Sequence, residues 1–150
     1  MAIELDLQIA SSFEPLPTRK EFLRWLGPGL LGRASAELTI RLVDFEESRR
    51  LNVRYRGMDK PTNVLSFPAD LPDEVDLPLL GDIVICAPLV AREASDVPIP
   101  IENHWAHLTI HGLLHLLGHD HQETREAEKM EALEASLLHQ LGIADPYIGE

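Results

Sequence analysis

Residues 111–121 read HGLLHLLGHDH, and this stretch determines how the second half of the chain folds and what it can bind. It places His111, His115 and His121 at relative positions 0, 4 and 10, with Gly118 at position 7. On a helix, the first two histidines lie one turn apart on the same face, so both imidazoles can point at one ion. Gly118 suits the left-handed residue that ends a helix and turns the chain back, which would deliver His121 as a third ligand. Three imidazoles with one open position form the ligand set of a catalytic zinc site, so we expect one zinc ion here.

The same spacing occurs in the metzincin peptidases, whose signature is H-E-x-x-H-x-x-G-x-x-H. In those enzymes the glutamate after the first histidine is the general base, whereas this sequence has Gly112 at that position. A zinc-dependent peptidase is therefore the least favoured alternative. Hydrolysis or transesterification of a phosphodiester would use the same properties of zinc, a lowered water pKa and a polarised oxygen. The sequence does not identify the group that accepts the proton.

Four further histidines lie outside this triad, and one of them, His119, sits inside the turn that precedes the third ligand. We expect His104 and His107, which precede the first ligand on the same helix, on a partly solvated helix face. The alternative for both is a hydrogen-bonding role that orients the metal-binding imidazoles. His139 is predicted to be an ordinary surface residue near the end of the last helix.

Charge is distributed unevenly along the 150 residues, whose net charge is −12. Residues 69–150 hold 3 Lys and Arg against 16 Asp and Glu, while residues 1–68 hold 10 against 9. This charge disfavours general nucleic-acid binding, which needs clustered cations, but it argues neither for nor against a local basic patch or a specific RNA substrate. The acidic half favours a basic protein partner, and a merely solvated face on the last helix is the alternative.

The chain is predicted to be one cytoplasmic domain over residues 1–150. It has no apolar run of membrane-spanning length and no basic region before its first apolar residues. The only cysteine, Cys86, lies among apolar neighbours and is expected to be a buried thiol.

Hydrophobic periodicity predicts an α+β fold in which helices cover a small mixed β-sheet and one helix is a metzincin-like metal helix. The predicted strands are residues 3–9, 37–43, 62–67 and 81–86, and residues 68–80 are predicted to be a solvated loop. The predicted helices are residues 18–26, 44–55, a segment opened by Pro88, 101–117 and 124–141. A capping box at Thr18 and a helix cap at Asp44 are expected to begin the first two.

Longer blocks of the sequence resemble the YbeY family of bacterial endoribonucleases. HGLLHLLGHDH is similar to the family signature H-G-x-L-H-L-x-G-[YH]-D-H, and residues 51–68, LNVRYRGMDKPTNVLSFP, are similar to its second block. Residues 79–85, LLGDIVI, resemble the third block, and the blocks appear in family order. The resemblance covers well over half of the chain.

The resemblance implies a single-strand-specific, zinc-dependent endoribonuclease that matures the 3′ end of small-subunit rRNA and acts in ribosome quality control. By motif position the zinc ligands are His111, His115 and His121, and the functionally important arginine is Arg56. We assign catalytic roles to His111, His115 and Arg56. We assign RNA binding to Arg56, because a guanidinium can bind a phosphate bidentately, and to the nearby cation Lys60.

The expected partners are an rRNA precursor, the ribosome or a basic small-subunit ribosomal protein, and a ribosome-associated GTPase. The principal alternative is a ribosome-assembly binding factor whose zinc is structural and whose catalysis is slight.

Overall fold

The computed structural model describes residues 2–70, 78–119 and 123–147, and its strands follow the alternation of apolar and polar side chains. The strands are β1 (Ala2–Ile9), β2 (Ser35–Val43), β3 (Val64–Pro68) and β4 (Leu79–Cys86). They form a sheet in the order β1-β2-β4-β3, in which β1, β2 and β4 are parallel and β3 runs antiparallel to β4. The predicted small mixed sheet is therefore confirmed, and β3 forms one of its edges.

Five α-helices pack around this sheet in the described residues, which agrees with the predicted α+β fold. They are α1 (Arg19–Leu26), α2 (Phe45–Arg56), α3 (Ala87–Asp96), α4 (Ile101–Leu116) and α5 (Thr124–Gln140), and a short 3-10 helix (Gly27–Leu30) follows α1. The capping box between Thr18 and Glu21 begins α1 as predicted, and Pro88 lies in the first turn of α3. None of the helices in the described ranges is both long and apolar enough to cross a membrane.

Helix α4 lies in the larger hydrophobic core, where it packs on β3 and β4 of the sheet and contacts α1, α3 and α5. One face of the sheet packs on this core through apolar residues of β2 and β4, namely Leu38, Ile40, Leu42, Ile83 and Ile85. The opposite face contributes Val84 and Cys86 to a smaller apolar cluster with Leu89 of α3. Cys86 is buried as expected, and burial raises the pKa of its thiol.

Two local predictions are wrong in detail. Residues 68–80 are not all loop, because Pro68 ends β3 and Leu79 begins β4; residues 71–77 lie outside the described ranges. Asp44 occupies the first cap position of α2, but its carboxylate makes no hydrogen bond to that helix. It accepts hydrogen bonds from Ser11 and Ser12 instead, and these lower its pKa. A partner more than thirty residues away cannot be read from local spacing.

Candidate metal site and cleft

Helix α4 brings His111 and His115 together as their spacing predicted. Their Nε2 atoms lie 3.2 Å apart. Two nitrogens bound tetrahedrally at the usual zinc–nitrogen length of ~2.0–2.1 Å would lie about 3.3 Å apart. The pair of imidazoles therefore has the separation that a shared zinc ion requires.

The end of α4 follows the predicted turn. Gly118 adopts φ +99°, a left-handed conformation that glycine accepts without strain. Its N–H donates to the carbonyl of His115 over 3.1 Å, and the N–H of His119 donates to the carbonyl of Leu114 over 3.0 Å. These two hydrogen bonds form a Schellman motif, which turns the chain sharply at the helix end.

His121, the predicted third ligand, lies outside the described residues. Among the residues that the structure describes, no group of three or more His, Cys, Asp or Glu side chains could hold a metal. The complete ligand set and the likeness of α4 to a metzincin metal helix therefore stay predictions. His119 is exposed at the end of the turn.

A buried carboxylate that the sequence analysis missed lies behind His111. Glu134 of α5 is completely buried, and its Oε1 accepts a hydrogen bond from Nδ1 of His111. An ionised carboxylate only accepts hydrogen bonds, so the proton of His111 is on Nδ1 and the lone pair is on Nε2. This is the arrangement by which a carboxylate orients a metal-binding histidine.

Glu134 is held on its other side by the C-terminal segment. The hydroxyl of Tyr147 donates to Oε2 of Glu134, and Nε2 of His107 lies 3.1 Å from the same hydroxyl oxygen. Burial alone would raise the pKa of Glu134, but contacts with His107, His111 and Tyr147 lower it to about 2. Burial and the Glu134 carboxylate raise the pKa of Tyr147, so the phenol keeps the proton that it donates. Glu134 is therefore an anion near neutral pH.

A sequence signal for Glu134 did exist. Buried residues of α5 follow helical spacing at Met130, Leu137 and Leu138, and position 134 falls on that same buried face. A charged residue on the apolar face of a helix requires a partner, and here the partner is an imidazole of the predicted metal site.

His104 and His107 lie on a partly solvated helix face, as predicted, with side chains that are 13% and 17% exposed. Each of them also contacts a carboxylate from a neighbouring helix. Nε2 of His104 lies 2.9 Å from Glu93 of α3, and His107 joins the network around Glu134. Of the two, only His107 is linked, through Tyr147 and Glu134, to a histidine of the predicted metal site. His139 is exposed as predicted.

Gly112 faces the sheet. A Cβ atom at this position would lie 2.8 Å from Cγ2 of Ile83 and 3.2 Å from Oγ of Ser66. The carbonyl of Gly112 also accepts a hydrogen bond of 3.0 Å from Ser66. The close packing of α4 on β3 and β4 thus excludes a glutamate where the metzincin general base would be.

A cleft of about 560 Å³ opens beside the two histidines and contains Arg56. It runs along the edge strand β3 to the end of α2, where Gly57 adopts φ +69° and ends the helix at Arg56. Arg56 is exposed, and no described carboxylate pairs with it. Because none of the described lining residues is acidic, the cleft suits an anionic substrate. Lys60 is exposed on the following loop and is not among the lining residues.

A slightly larger cavity, of about 620 Å³, lies at β1 and β2 and contains neither of the two histidines. Its lining includes three carboxylates, Glu4, Asp6 and Glu37, against one cation, Arg19. These carboxylates would repel a phosphate, so size alone does not identify the functional site.

An arginine suits phosphate binding, and a zinc ion held by imidazoles would activate a water or polarise a phosphoryl oxygen. Residues 19–142 match the sequence profile of the family described as endoribonuclease YbeY. The chain therefore belongs to the YbeY family of endoribonucleases, and this membership implies a role in rRNA maturation.

The fold has a counterpart among solved structures. The chain is similar to the solution structure of TM1509 from Thermotoga maritima, with a TM-score of 0.56 and 22% sequence identity. The match covers 98% of this chain and 99% of that one. At this level of identity, the likeness supports the fold alone.

Proposed function

We propose that this protein is a zinc-dependent endoribonuclease, specific for single strands, that matures the 3′ end of small-subunit rRNA and acts in ribosome quality control. The observation that carries the proposal is a single cleft that holds both the His111–His115 pair and Arg56. Family membership supplies the reaction class, and the geometry supplies two of the groups that such a reaction needs.

One zinc ion would be held by His111, His115 and His121. The fit rests on the 3.2 Å separation of the first two Nε2 atoms and on the carboxylate behind His111. When bound, zinc supplies Lewis-acid activation at neutral pH. Glu134 fixes the tautomer and the ring orientation of His111, and its negative charge offsets part of the charge of a divalent cation.

Arg56 would bind the phosphate that is cleaved. A guanidinium forms two parallel hydrogen bonds to phosphate oxygens and keeps its charge at every working pH. Since no described carboxylate pairs with it, Arg56 is available to neutralise charge that develops in the transition state. Lys60 would contact the RNA backbone outside the cleft.

The exposed face of α5 would contact a basic protein of the small ribosomal subunit. Three acidic side chains of α5 are exposed, Glu126, Glu128 and Glu131, and Glu123 is exposed at the N-cap of the helix. This charge supports association with the ribosome, where a ribosome-associated GTPase would also be a neighbour. In the alternative, a ribosome-assembly factor with structural zinc, the protein would bind the ribosome and cleave RNA little or not at all.

The test measures cleavage of an rRNA precursor and the metal content of the same purified samples. We expect His115→Ala to lose both bound zinc and cleavage, and Arg56→Ala to retain zinc and lose cleavage by about 100-fold, as for removal of a transition-state donor. Arg50→Ala is the matched control, because Arg50 is an exposed arginine of α2 that does not line the cleft. Cleavage by Arg56→Ala at the wild-type rate would contradict the role of Arg56. Zinc-replete wild type that binds ribosomes without cutting RNA would contradict the nuclease proposal.

A further inference from the structure

Two aromatic rings form part of the cleft wall beside Arg56. Tyr55 is the penultimate residue of α2, and its side chain is 55% exposed. Its ring packs against Phe67 of β3 with centroids 4.9 Å apart and planes at 64°. Both rings line the cleft that contains the two histidines. Phe67 packs against the smaller apolar cluster and supports the ring of Tyr55, whereas Tyr55 itself stays exposed in the cleft.

The ring of Tyr55 already attracts a planar group. The guanidinium of Arg54 lies 5.3 Å from the ring centroid, in a cation–π arrangement. Arg54 and Tyr55 are both exposed, so a planar ligand can displace the guanidinium from the ring. A displaced Arg54 then becomes available to a phosphate next to that ligand.

The aromatic pair also separates two cavities. A second cavity of about 480 Å³ adjoins the pair, and its lining includes Asp82 and an ion pair between Arg41 and Glu47. Among the described residues, Tyr55 and Phe67 alone line both cavities. The pair therefore lies at the margin of the cleft, and the carboxylates beyond it favour a phosphate that stays on the side of Arg56.

We propose that Tyr55 and Phe67 form a stacking platform for one unpaired nucleobase of the RNA. This proposal rests on the proposed function and adds how the cleft selects its substrate. Bases in single strands stack on aromatic side chains, whereas bases in a duplex are already stacked on each other. The platform would thus favour single strands without reading their sequence.

The test uses a short single-stranded RNA in which one base is replaced by fluorescent 2-aminopurine. Binding to the metal-loaded protein is titrated in the cold, with gel electrophoresis to verify that the strands stay intact. Loss of one base–aromatic stack weakens binding by about 5-fold to 150-fold, and we expect this for Tyr55→Leu, together with loss of fluorescence quenching. Tyr55→Phe should retain both, because a phenyl ring also stacks.

Phe45→Leu is the matched control. Phe45 is also an exposed aromatic of α2 with an arginine over its ring, but it does not line the cleft. The platform is supported if Phe45→Leu binds and quenches like wild type while Tyr55→Leu does neither. It is overturned if Tyr55→Leu, folded by circular dichroism, binds and quenches like wild type. Wild type that binds and quenches but never cleaves would refute the nuclease proposal and still support the platform.

Discussion

Replacing Glu134 by glutamine tests whether the buried carboxylate serves the metal site. The substitution keeps the shape of the side chain and one oxygen that can accept from Nδ1 of His111, but removes the charge. A hydrogen bond to a charged group contributes roughly 1.5–3 kcal/mol and a neutral one roughly 0.5–1.5 kcal/mol. The difference of about 1–1.5 kcal/mol corresponds to about a 5-fold to 13-fold change in a binding constant. The lost attraction between the anion and a dication adds to this, so we expect zinc affinity to fall about 10-fold to 100-fold.

The assay is competition for zinc between the protein and a chromophoric chelator at neutral pH, where Glu134 is ionised because its pKa is about 2. The spectrum of the Co²⁺-substituted protein reports whether the coordination geometry also changes. Tyr147→Phe should give a smaller loss, because it removes only the hydroxyl that holds the second carboxylate oxygen. Glu131→Gln is the matched control, since Glu131 lies on the same helix and is exposed.

The reasoning would be refuted by one clear pattern. If folded Glu134→Gln binds zinc as tightly as Glu131→Gln and gives an unchanged Co²⁺ spectrum, the carboxylate does not orient the ligand. A general loss of stability would lower the melting temperature without a selective effect on metal affinity, and thermal unfolding of the metal-free proteins separates these cases.

Three further predictions concern the fold that supports the site. Gly112→Ala should destabilise the protein by about 1–3 kcal/mol in denaturant unfolding through overpacking against the sheet, while Gly27→Ala, with open space around its Cβ position, should cost far less. Hydrogen bonds from Ser11 and Ser12 lower the pKa of Asp44 from 3.8, so the stability it contributes is present above that pH and is lost on acidification. The stability difference between wild type and Asp44→Asn should therefore shrink as the pH falls below about 4. Cys86 should react with a thiol reagent only as fast as the protein unfolds, because the thiol is buried; fast reaction in the native state would contradict this.

The sequence predicted those parts of the fold and site that depend on local spacing. Period-two alternation located β1 and β2, and helical spacing put His111 and His115 on one face of α4. The turn at Gly118 followed from the conformational freedom of glycine. Each of these features is decided within about ten residues of chain.

Features that depend on distant segments were not predictable in the same way. Glu134 lies 23 residues beyond His111, and Tyr147 lies a further 13 residues along the chain. The hydrogen bonds that Ser11 and Ser12 donate to Asp44 also join segments that are more than thirty residues apart. Spacing along one helix cannot show which carboxylate from another helix will meet it. An acidic residue on a buried helix face indicates only that some partner exists.

The position of the carboxylates also bears on the choice between peptide and RNA chemistry. A zinc peptidase needs a general base beside the attacking water, and packing against Ile83 excludes a side chain at Gly112. Glu134 cannot take that role, because it is buried, is bonded to His111 and Tyr147, and does not line the cleft. The described cleft lining contains an exposed arginine and no carboxylate, so it offers a cation but no carboxylate base. RNA carries its own nucleophile, the 2′-hydroxyl, next to the phosphate that Arg56 would hold, and such a substrate suits this site better than a peptide does.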